Sequence, residues 1–277
     1  MAAPDFVAVG HVTLDRAGDT VRVGGSAFYA VVTAHRLGFS AGLLTSHAAD
    51  FPLEALPPAI EVVSVPSPVT TTFEHRPDGG QRRLSVTQVA RPLAAHDVPA
   101  DWEDASVVLL APVIAEVDPL TVEAFGAATV GASAQGWLRD RAGVDVVARP
   151  WAPPLGLLSR IQALFMGLDD VRGQESEVME WLQRLPLAAV TAGARGGLLF
   201  VNGDRYETPP RPAREVDATG ARDVFATAFM LRYHVEGDPW RAASAATCAA
   251  SLSVEGEGYS AVPDRAALEA ALRAYEA

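Results

Sequence analysis

The sequence predicts an α/β fold in which a doubly wound, mostly parallel sheet is flanked by helices and carries a small β-hairpin lid. Short apolar runs rich in β-branched residues alternate with helical segments along most of the chain. Residues 62–89 interrupt this alternation with two polar–apolar segments that are typical of a hairpin. The 277 residues, 49% of them hydrophobic, are enough to bury the core of one large domain.

The first elements follow a strand–loop–helix–strand order. A helix is predicted from Ser26 to Leu37, with Ser26 as its N-cap and Gly38 as its stop signal. This order favours a parallel sheet covered by helices. The strands around this helix are predicted at Phe6–Gly10, Val21–Val23 and Ala41–Thr45.

The lid is predicted from two β-type segments, Val69–Arg76 and Arg82–Gln88. They are joined by Pro77-Asp78-Gly79-Gly80, whose glycines can adopt positive φ in a tight turn. An antiparallel hairpin inside an alternating α/β chain indicates an appendage, such as a lid or a dimer-forming sheet. We therefore predict one domain, residues 1–277, with lid strands in roughly residues 12–24 and 62–89.

The α/β alternation resumes after the lid. Asn202-Gly203 predicts a second hairpin, between Leu198–Val201 and Arg205–Thr208. Further strands are predicted at Val107–Leu110, Ala128–Ala132, Ala163–Met166 and Leu187–Thr191, and final helices at Ala221–Val235, Pro239–Val254 and Asp264–Tyr275.

Composition and charge exclude several classes of function. All 22 basic side chains are arginine, which excludes mechanisms that need a lysine amine, such as Schiff-base enzymes, Walker-A NTPases and protein kinases. The net charge of -12 argues against a nucleic-acid partner. No apolar run approaches the roughly 20 residues that cross a bilayer, and no signal-peptide pattern is present. We expect a cytoplasmic protein that binds neither nucleic acid nor membrane.

The strongest chemical signal lies between Asp217 and Phe225, where a glycine-containing loop enters a helix. Free backbone N–H groups and the helix dipole make such a junction an anion site. Asp223 would lie in the first helical turn, a position that an isolated aspartate also takes simply to stabilise a helix start. A second glycine loop, Thr191–Gly197, ends an apolar strand, where open α/β sheets bind ligands. Together the two loops predict phosphates held by backbone amides and arginine.

Three motifs carry a resemblance to a known family. DATGARDVFATAF resembles the DTxGAGDxF signature of the PfkB (ribokinase-like) carbohydrate kinases. VTAGARGG is similar to the TxGxxG nucleotide loop of that family, and Gly24-Gly25 before a helix is similar to its di-glycine motif. The motifs occur in the family's order, so the resemblance covers nearly the whole chain. It implies a ribokinase-like fold and phosphorylation of a hydroxyl group by ATP with Mg²⁺.

The resemblance implies a role for each matching residue. Asp223 matches the catalytic base, and the amides of Gly220, Ala221 and Arg222 match the anion hole. Asp170 stands where the family has the last residue of NxxE, which makes it a predicted Mg²⁺ ligand through water. The implied substrate site contains Asp15, Gly24 and Gly25. His11, which follows the first strand, is either a further substrate contact or a turn residue. Tyr29 stands where ribokinases have an asparagine, and it is either a substrate contact or a core residue. The implied nucleotide site consists of Thr191, Gly193, Gly196, Asp217, Thr219, Ala246 and Ala250.

Two positions depart from the family pattern. Arg222 replaces the second glycine of GAGD, and Gly167 replaces the asparagine of NxxE. A helical backbone would tolerate Arg222, and its cation would help to neutralise phosphate. Alternatively, the Arg222 side chain fills the phosphate space and leaves a homologue that binds ligand without turnover. Arg139, outside any motif, is interpreted as a solvated surface residue.

The segments VGHVTLD, GGSAFYA and TTTFEH place the resemblance nearest the myo-inositol kinase branch. The predicted substrate is a small polyol, either a cyclitol such as myo-inositol or a sugar. The alternative is a nucleoside kinase on the same fold, in which Phe28 or Tyr29 would stack on a base. The β-branched lid strands favour a homodimer through the lid.

Overall fold

The computed structural model describes residues 2–78 and 81–277 and is built from two sheets and the helices around them. Within these residues the strands are β1 (Phe6–Val9), β2 (Thr13–Ala17), β3 (Thr20–Gly24), β4 (Ala41–His47), β5 (Glu61–Pro66), β6 (Thr71–Asp78), β7 (Gln81–Gln88), β8 (Val107–Leu110), β9 (Thr129–Ser133), β10 (Arg139–Ala142), β11 (Asp145–Ala148), β12 (Ala163–Gly167), β13 (Leu187–Thr191), β14 (Gly197–Val201) and β15 (Asp204–Thr208). The α-helices are α1 (Ser26–Arg36), α2 (Leu155–Leu158), α3 (Glu175–Leu182), α4 (Ala221–Glu236), α5 (Pro239–Ser253) and α6 (Arg265–Tyr275).

The larger sheet has nine strands in the order β15-β14-β13-β12-β9-β8-β1-β4-β5. β1 pairs in parallel with β4 on one side and with β8 on the other, so the winding of the chain reverses at this position. β14 and β15 close one edge as an antiparallel hairpin, as predicted from Asn202-Gly203. The predicted doubly wound, mostly parallel sheet is confirmed. In such sheets, ligands bind outside the carboxyl ends of the strands near the reversal.

Helices cover both faces of this sheet, and each face has its own apolar core. On one face α1, α4, α5 and α6 enclose side chains such as Phe28 and Phe229, which are fully buried. On the other face α2 and α3 pack with a tryptophan cluster, in which the rings of Trp137 and Trp151 stack with their centroids 4.9 Å apart. Among the described residues, no helix has both the length and the apolar character needed to span a membrane.

The lid is a separate six-stranded sheet with the order β10-β11-β7-β6-β2-β3. β6 and β7 pair antiparallel, which confirms the strands of the predicted hairpin. Its predicted turn glycines, Gly79 and Gly80, lie outside the described residues.

The extent of the lid differs from the prediction in two ways. β5, which includes residues 62–66, belongs to the larger sheet because it pairs in parallel with β4. The lid also contains the hairpin of β10 and β11, which the sequence did not reveal. Each of these two strands has four mostly exposed residues, so they leave almost no apolar pattern.

Candidate active site

The predicted anion hole lies at the N-terminus of α4. Gly220 caps this helix with a φ of 75°, a left-handed conformation that favours glycine. A Cβ atom at Gly220 would overlap the ring of Tyr29, which is buried beside it. Conformation and packing therefore both require glycine at this position. The residues from Gly220 to Asp223 line a cavity, where the amides of the helix start can meet an anion.

Asp223 lies in the first turn of α4. Burial raises the pKa of its carboxyl to about 6, and a hydrogen bond with Ser26 together with the cations of Arg222 and Arg139 limits this rise. The neighbouring carboxylate of Asp170 raises the pKa further. A carboxyl group with a pKa near 6 is ionised at neutral pH and still basic enough to accept a proton, as a general base must be.

Ser26 is a residue whose role the sequence did not reveal. The prediction that it caps its own helix is wrong, because the N-cap of α1 is Gly25 and Ser26 is the first helical residue. Its buried hydroxyl is instead hydrogen-bonded to Asp223. Gly25 has a φ of 103°, and a Cβ atom there would overlap the carbonyl oxygen of His11. The di-glycine motif thus lets α1 approach the first strand–loop junction closely enough for Ser26 to position the base.

Asp217 organises the loop that precedes α4. Its Oδ1 accepts hydrogen bonds from N and Oγ1 of Thr219, at 3.0 and 2.6 Å, and its Oδ2 accepts one from N of Gly258 at 3.1 Å. Arg22 on lid strand β3 adds an ion pair at 3.0 Å. Burial raises the pKa of Asp217, but these hydrogen bonds and Arg22 outweigh it, and the net shift is downward. Asp217 and Thr219, predicted as nucleotide contacts, therefore hold the loop and do not line the cavity.

The cavity beside Asp223 has a volume of about 690 Å³ and extends from the start of α4 to α5. Its wall includes the predicted nucleotide residues Thr191, Gly193, Gly196 and Ala250. The prediction for Ala246 is wrong, because this residue is fully buried in the core and does not line the cavity. Arg211, which no motif indicated, lies at the far end, where its Nη1 donates to Ser251 Oγ at 3.2 Å and pairs with Glu255 Oε1 at 3.3 Å.

Asp15 lies on lid strand β2, and Gly24 lies on the adjacent strand β3. Oδ1 of Asp15 accepts a hydrogen bond from Thr13 Oγ1 at 3.0 Å. A Cβ atom at Gly24 would lie only 2.5 Å from Asp15 Oδ2, so glycine makes room for the carboxylate. Burial raises the pKa of Asp15, whereas the Thr13 hydrogen bond and the guanidinium of Arg139 lower it, and the net shift is upward. The structure therefore places this predicted substrate residue in a partly desolvated environment.

His11 and Tyr29, also predicted as substrate residues, are buried in the protein. The ring nitrogens of His11 are both engaged, Nε2 with the carbonyl oxygen of Arg91 at 2.9 Å and Nδ1 with Thr71 Oγ1 at 2.7 Å. These bonds leave neither nitrogen for a substrate, so the predicted contact through the His11 ring is corrected to a structural role. Tyr29 packs in the core against Phe28, with ring centroids 5.9 Å apart.

Glu116 is a buried carboxylate that sequence reasoning missed. It accepts hydrogen bonds from the backbone N–H groups of His11, Val113 and Ile114, at distances of 2.7–3.1 Å. These groups follow β1 and β8, at the reversal of the sheet. Glu116 therefore ties together the two chain segments that leave the sheet toward the active site.

Arg139 corrects another expectation, because it is not a solvated surface residue. It begins lid strand β10, and burial lowers the pKa of its guanidinium, while the carboxylates of Asp170 and Asp223 raise it. It also lies within electrostatic reach of Asp15. The lid thus brings a cation within electrostatic range of both predicted functional carboxylates, Asp15 and Asp223.

The two departures from the family pattern, Arg222 and Gly167, lie in contact. Nη1 of Arg222 forms an ion pair with Oδ2 of Asp170, and the same oxygen accepts a hydrogen bond from N of Gly167 at 3.0 Å. With its amide oriented to satisfy both guanidinium groups, Gln135 accepts from Arg222 Nη1 and Arg139 Nη2, each at 2.9 Å. The arginine side chain is therefore fixed by an anion and an amide at the phosphate end of the cavity.

The magnesium prediction fits this arrangement poorly. Among the described residues, no group of three or more His, Cys, Asp or Glu side chains could hold a metal ion. The carboxylate oxygen of Asp170 that faces Gly167 is already occupied by a guanidinium. The geometry therefore offers a protein cation where the resemblance implied a metal-bound water.

Residues 161–265, which contain β12, the second glycine loop and the α4 signature, match the pfkB family carbohydrate kinase. This likeness to the PfkB family covers the C-terminal part of the chain, residues 161–265. Members of this family are phosphotransferases with an alcohol group as acceptor.

The individual proteins that resemble this chain are distant in sequence. A cytidine kinase of Thermococcus kodakarensis is 24% identical over 83% of this chain and 88% of its own length. A pyrophosphate-dependent kinase in the ribokinase family, solved with a pyrophosphate analogue and myo-inositol, superposes with a TM-score of 0.79 at 20% identity, over 96% of this chain and 99% of the other. A ribokinase of Arabidopsis thaliana, solved with ribose and ATP, gives 0.73 at 19% identity over 98% and 99%. The two structural likenesses show that the ribokinase-like fold is shared.

Proposed function

We propose that this protein is a PfkB-type kinase that transfers a phosphoryl group from ATP to a hydroxyl group of a small polyol, a cyclitol such as myo-inositol or a sugar. The observation that carries the proposal is the position of Asp223. Its carboxylate, with a pKa of about 6, stands at a helix N-terminus beside a nucleotide-sized cavity and near the cations Arg139 and Arg222. Phosphoryl transfer needs mainly such positioning, charge neutralisation and a base for the nucleophile.

The donor side supports a nucleotide. The amides at Gly220–Asp223 can stabilise the negative charge on the transferring group. A volume of about 690 Å³ suits a nucleotide-sized ligand. The far wall combines apolar side chains, Ala243 and Val254, with Arg211 and Ser251, which suits a heterocyclic base. ATP is therefore the proposed donor, although a structural neighbour is described as pyrophosphate-dependent.

The acceptor side supports a polyol. Asp15 offers carboxylate oxygens to neighbouring hydroxyl groups, and Arg139 lies near it in the same partly desolvated space. The proposed mechanism begins with a substrate hydroxyl oriented by Asp15. Asp223 then accepts its proton while the oxygen attacks the terminal phosphorus of ATP. The bond from this phosphorus to the oxygen that bridges the β- and γ-phosphates breaks, and ADP leaves. The likeness to a structure solved with myo-inositol supports a cyclitol.

The alternative nucleoside kinase is supported by the relative described as a cytidine kinase. In this alternative, the ring of Phe28 or Tyr29 would stack on the nucleobase of the substrate. Phe28 has no exposed surface and Tyr29 is 3% exposed, so these rings pack in the core and cannot sandwich a ligand without rearrangement. This observation favours the polyol.

The alternative without turnover required Arg222 to fill the phosphate space. Arg222 is a helical residue of α4 whose guanidinium is drawn sideways to Asp170 and Gln135. The anion hole formed by the preceding amides is compatible with this placement, which favours an active enzyme.

A homodimer through the lid and a cytoplasmic location remain part of the proposal. The edge strands of the lid are β10 and β3, and the first four residues of β3 are exposed or half-buried. Such an edge can pair with a second copy. Light scattering coupled to size exclusion would distinguish a dimer of 29.1 kDa chains from a monomer.

The experiment that tests the function is ADP release from the purified protein with Mg-ATP. The acceptor panel contains cyclitols, sugars and nucleosides, and pyrophosphate is tested as a second donor. We expect turnover with a cyclitol or a sugar. Turnover with nucleosides alone would support the alternative substrate class, and ligand binding without turnover for every donor and acceptor would support the non-catalytic alternative.

A further inference from the structure

Arg222, Asp170 and Gly167 form one structural unit at the phosphate end of the donor cavity. Arg222 and Gly167 both line this cavity. An ideal Cβ atom on Gly167 would lie 2.7 Å from Cζ and Nη1 of Arg222 and 2.8 Å from Oδ2 of Asp170. The guanidinium therefore occupies space that any larger residue at position 167 would take.

The guanidinium of Arg222 is held by its neighbours and still remains partly exposed to solvent. Asp170 supplies the counter-charge, and its own carboxylate is fixed by the N–H of Gly167. The Arg222 side chain nevertheless keeps 43% of its surface exposed. The contacts to Asp170 and Gln135 described for Arg222 use Nη1, whereas a guanidinium carries five N–H donors. Donors thus remain for a ligand in the cavity.

The chemistry of the guanidinium selects the ligand. Arginine binds phosphate oxygens through paired N–H groups and stays charged at any physiological pH. The anion hole at the start of α4 is formed by the same residues, Gly220 to Arg222. A polyphosphate whose end occupies that hole would therefore meet the Arg222 side chain.

We propose that Arg222 binds the polyphosphate chain of the donor directly and neutralises part of its negative charge. The identification of the donor as ATP rests on the proposed function. The coupling of Arg222 with Asp170 and Gly167 rests on the contacts alone.

The test is calorimetric binding without metal, in EDTA, so that it requires no turnover. The ligands are ATP, tripolyphosphate and adenosine, and the proteins are the wild type, Arg222→Gly and a control, Arg172→Ala. Arg172 follows the same strand, but its side chain is 80% exposed and pairs with Asp169 at the surface. Thermal unfolding of each variant verifies that it is folded.

The expected result is that Arg222→Gly weakens the binding of ATP and tripolyphosphate by about 10-fold or more, as the loss of a charged hydrogen-bonding partner should. Adenosine binding should stay unchanged, and Arg172→Ala should bind all three ligands like the wild type. The proposal is overturned if Arg222→Gly binds the polyphosphates as tightly as the wild type, if adenosine binding falls equally, or if the wild type binds no polyphosphate without metal.

The same measurements distinguish a failure of the proposed kinase activity from a failure of the proposed role of Arg222. Absence of turnover with Arg222-dependent binding of ATP would reject the kinase and retain the role of Arg222. If Asp223→Asn abolishes turnover but Arg222→Gly binds the donor as tightly as the wild type, the kinase activity is retained and the role of Arg222 is rejected. Binding of tripolyphosphate but not of ATP, still dependent on Arg222, would retain the cation and reject the nucleotide donor.

Discussion

Gly167 and Arg222 share one volume: the Cβ atom that any other residue would place at position 167 falls 2.7 Å from the guanidinium carbon of Arg222. In the sequence these positions are separated by a helix, a strand and a hairpin, and each looks like an independent departure from the family pattern. In the structure the two departures depend on each other, because the Arg222 guanidinium fits only where residue 167 has no Cβ atom.

This relationship predicts that substitutions at the two positions are not additive. Gly167→Ala should fold, because the atoms in its way are the mobile ends of two side chains, but it should displace Arg222 from Asp170. In urea unfolding, we expect Gly167→Ala to lose about 1–2 kcal/mol in the wild type and much less in an Arg222→Gly background. Equal losses in both backgrounds would contradict the coupling.

Asp223→Asn tests the base by activity and by stability. Removal of a general base should lower kcat by about 100-fold or more, with little change in ATP binding. Because burial raises the pKa of Asp223 in the folded state, its neutral form favours folding, and that contribution is lost as the pH rises toward 6 and above. Asn should therefore match the wild type near pH 4 and be more stable at pH 8, by at most about 3 kcal/mol.

A matched variant, Asp204→Asn, changes an exposed carboxylate in the β14–β15 hairpin. It should retain both the activity and the pH dependence of the wild type. An Asp223→Asn enzyme with wild-type kcat would remove Asp223 from the mechanism.

The hydrogen bond between Ser26 and Asp223 predicts a shift in the pH–rate profile. The profile of kcat/KM should rise through an apparent pKa of about 6, since the base acts when ionised. Ser26→Ala removes a hydrogen bond that lowers the pKa of Asp223, so this rise should move to higher pH. Ser260→Ala, at an exposed serine, is the control and should leave the profile in place. A shift to lower pH would show that the hydroxyl does not stabilise the carboxylate.

Asp15→Ala should act on the acceptor and spare the donor. Loss of a carboxylate that accepts hydrogen bonds from hydroxyl groups should raise the KM of the polyol by about 10- to 100-fold. The KM of ATP should change little, because Asp15 lies on the lid and does not line the donor cavity. The control is Asp19→Ala, in the exposed turn between β2 and β3. An effect on ATP alone would place Asp15 outside the acceptor site.

Much of the architecture could be predicted because its signals are local. Fully buried parallel strands such as β8 read as continuous apolar runs, and Asn202-Gly203 specifies its hairpin through turn conformation. The start of α4 could also be predicted, because a glycine and an aspartate at a helix start act through the backbone of that helix. These features need only neighbouring residues to define them.

The sequence by itself determined the doubly wound sheet, the β6–β7 hairpin, the start of α4 and the identity of Asp223 as the base that we propose. Only the tertiary structure decided which polar groups meet across long separations: Ser26 with Asp223, and Arg222 with Gly167 and Asp170. It also placed Arg139 in the site and buried the His11 ring. The reason is physical. Backbone conformation and apolar periodicity are set within a few residues, whereas hydrogen bonds, ion pairs and desolvation depend on which distant side chains the completed fold brings together.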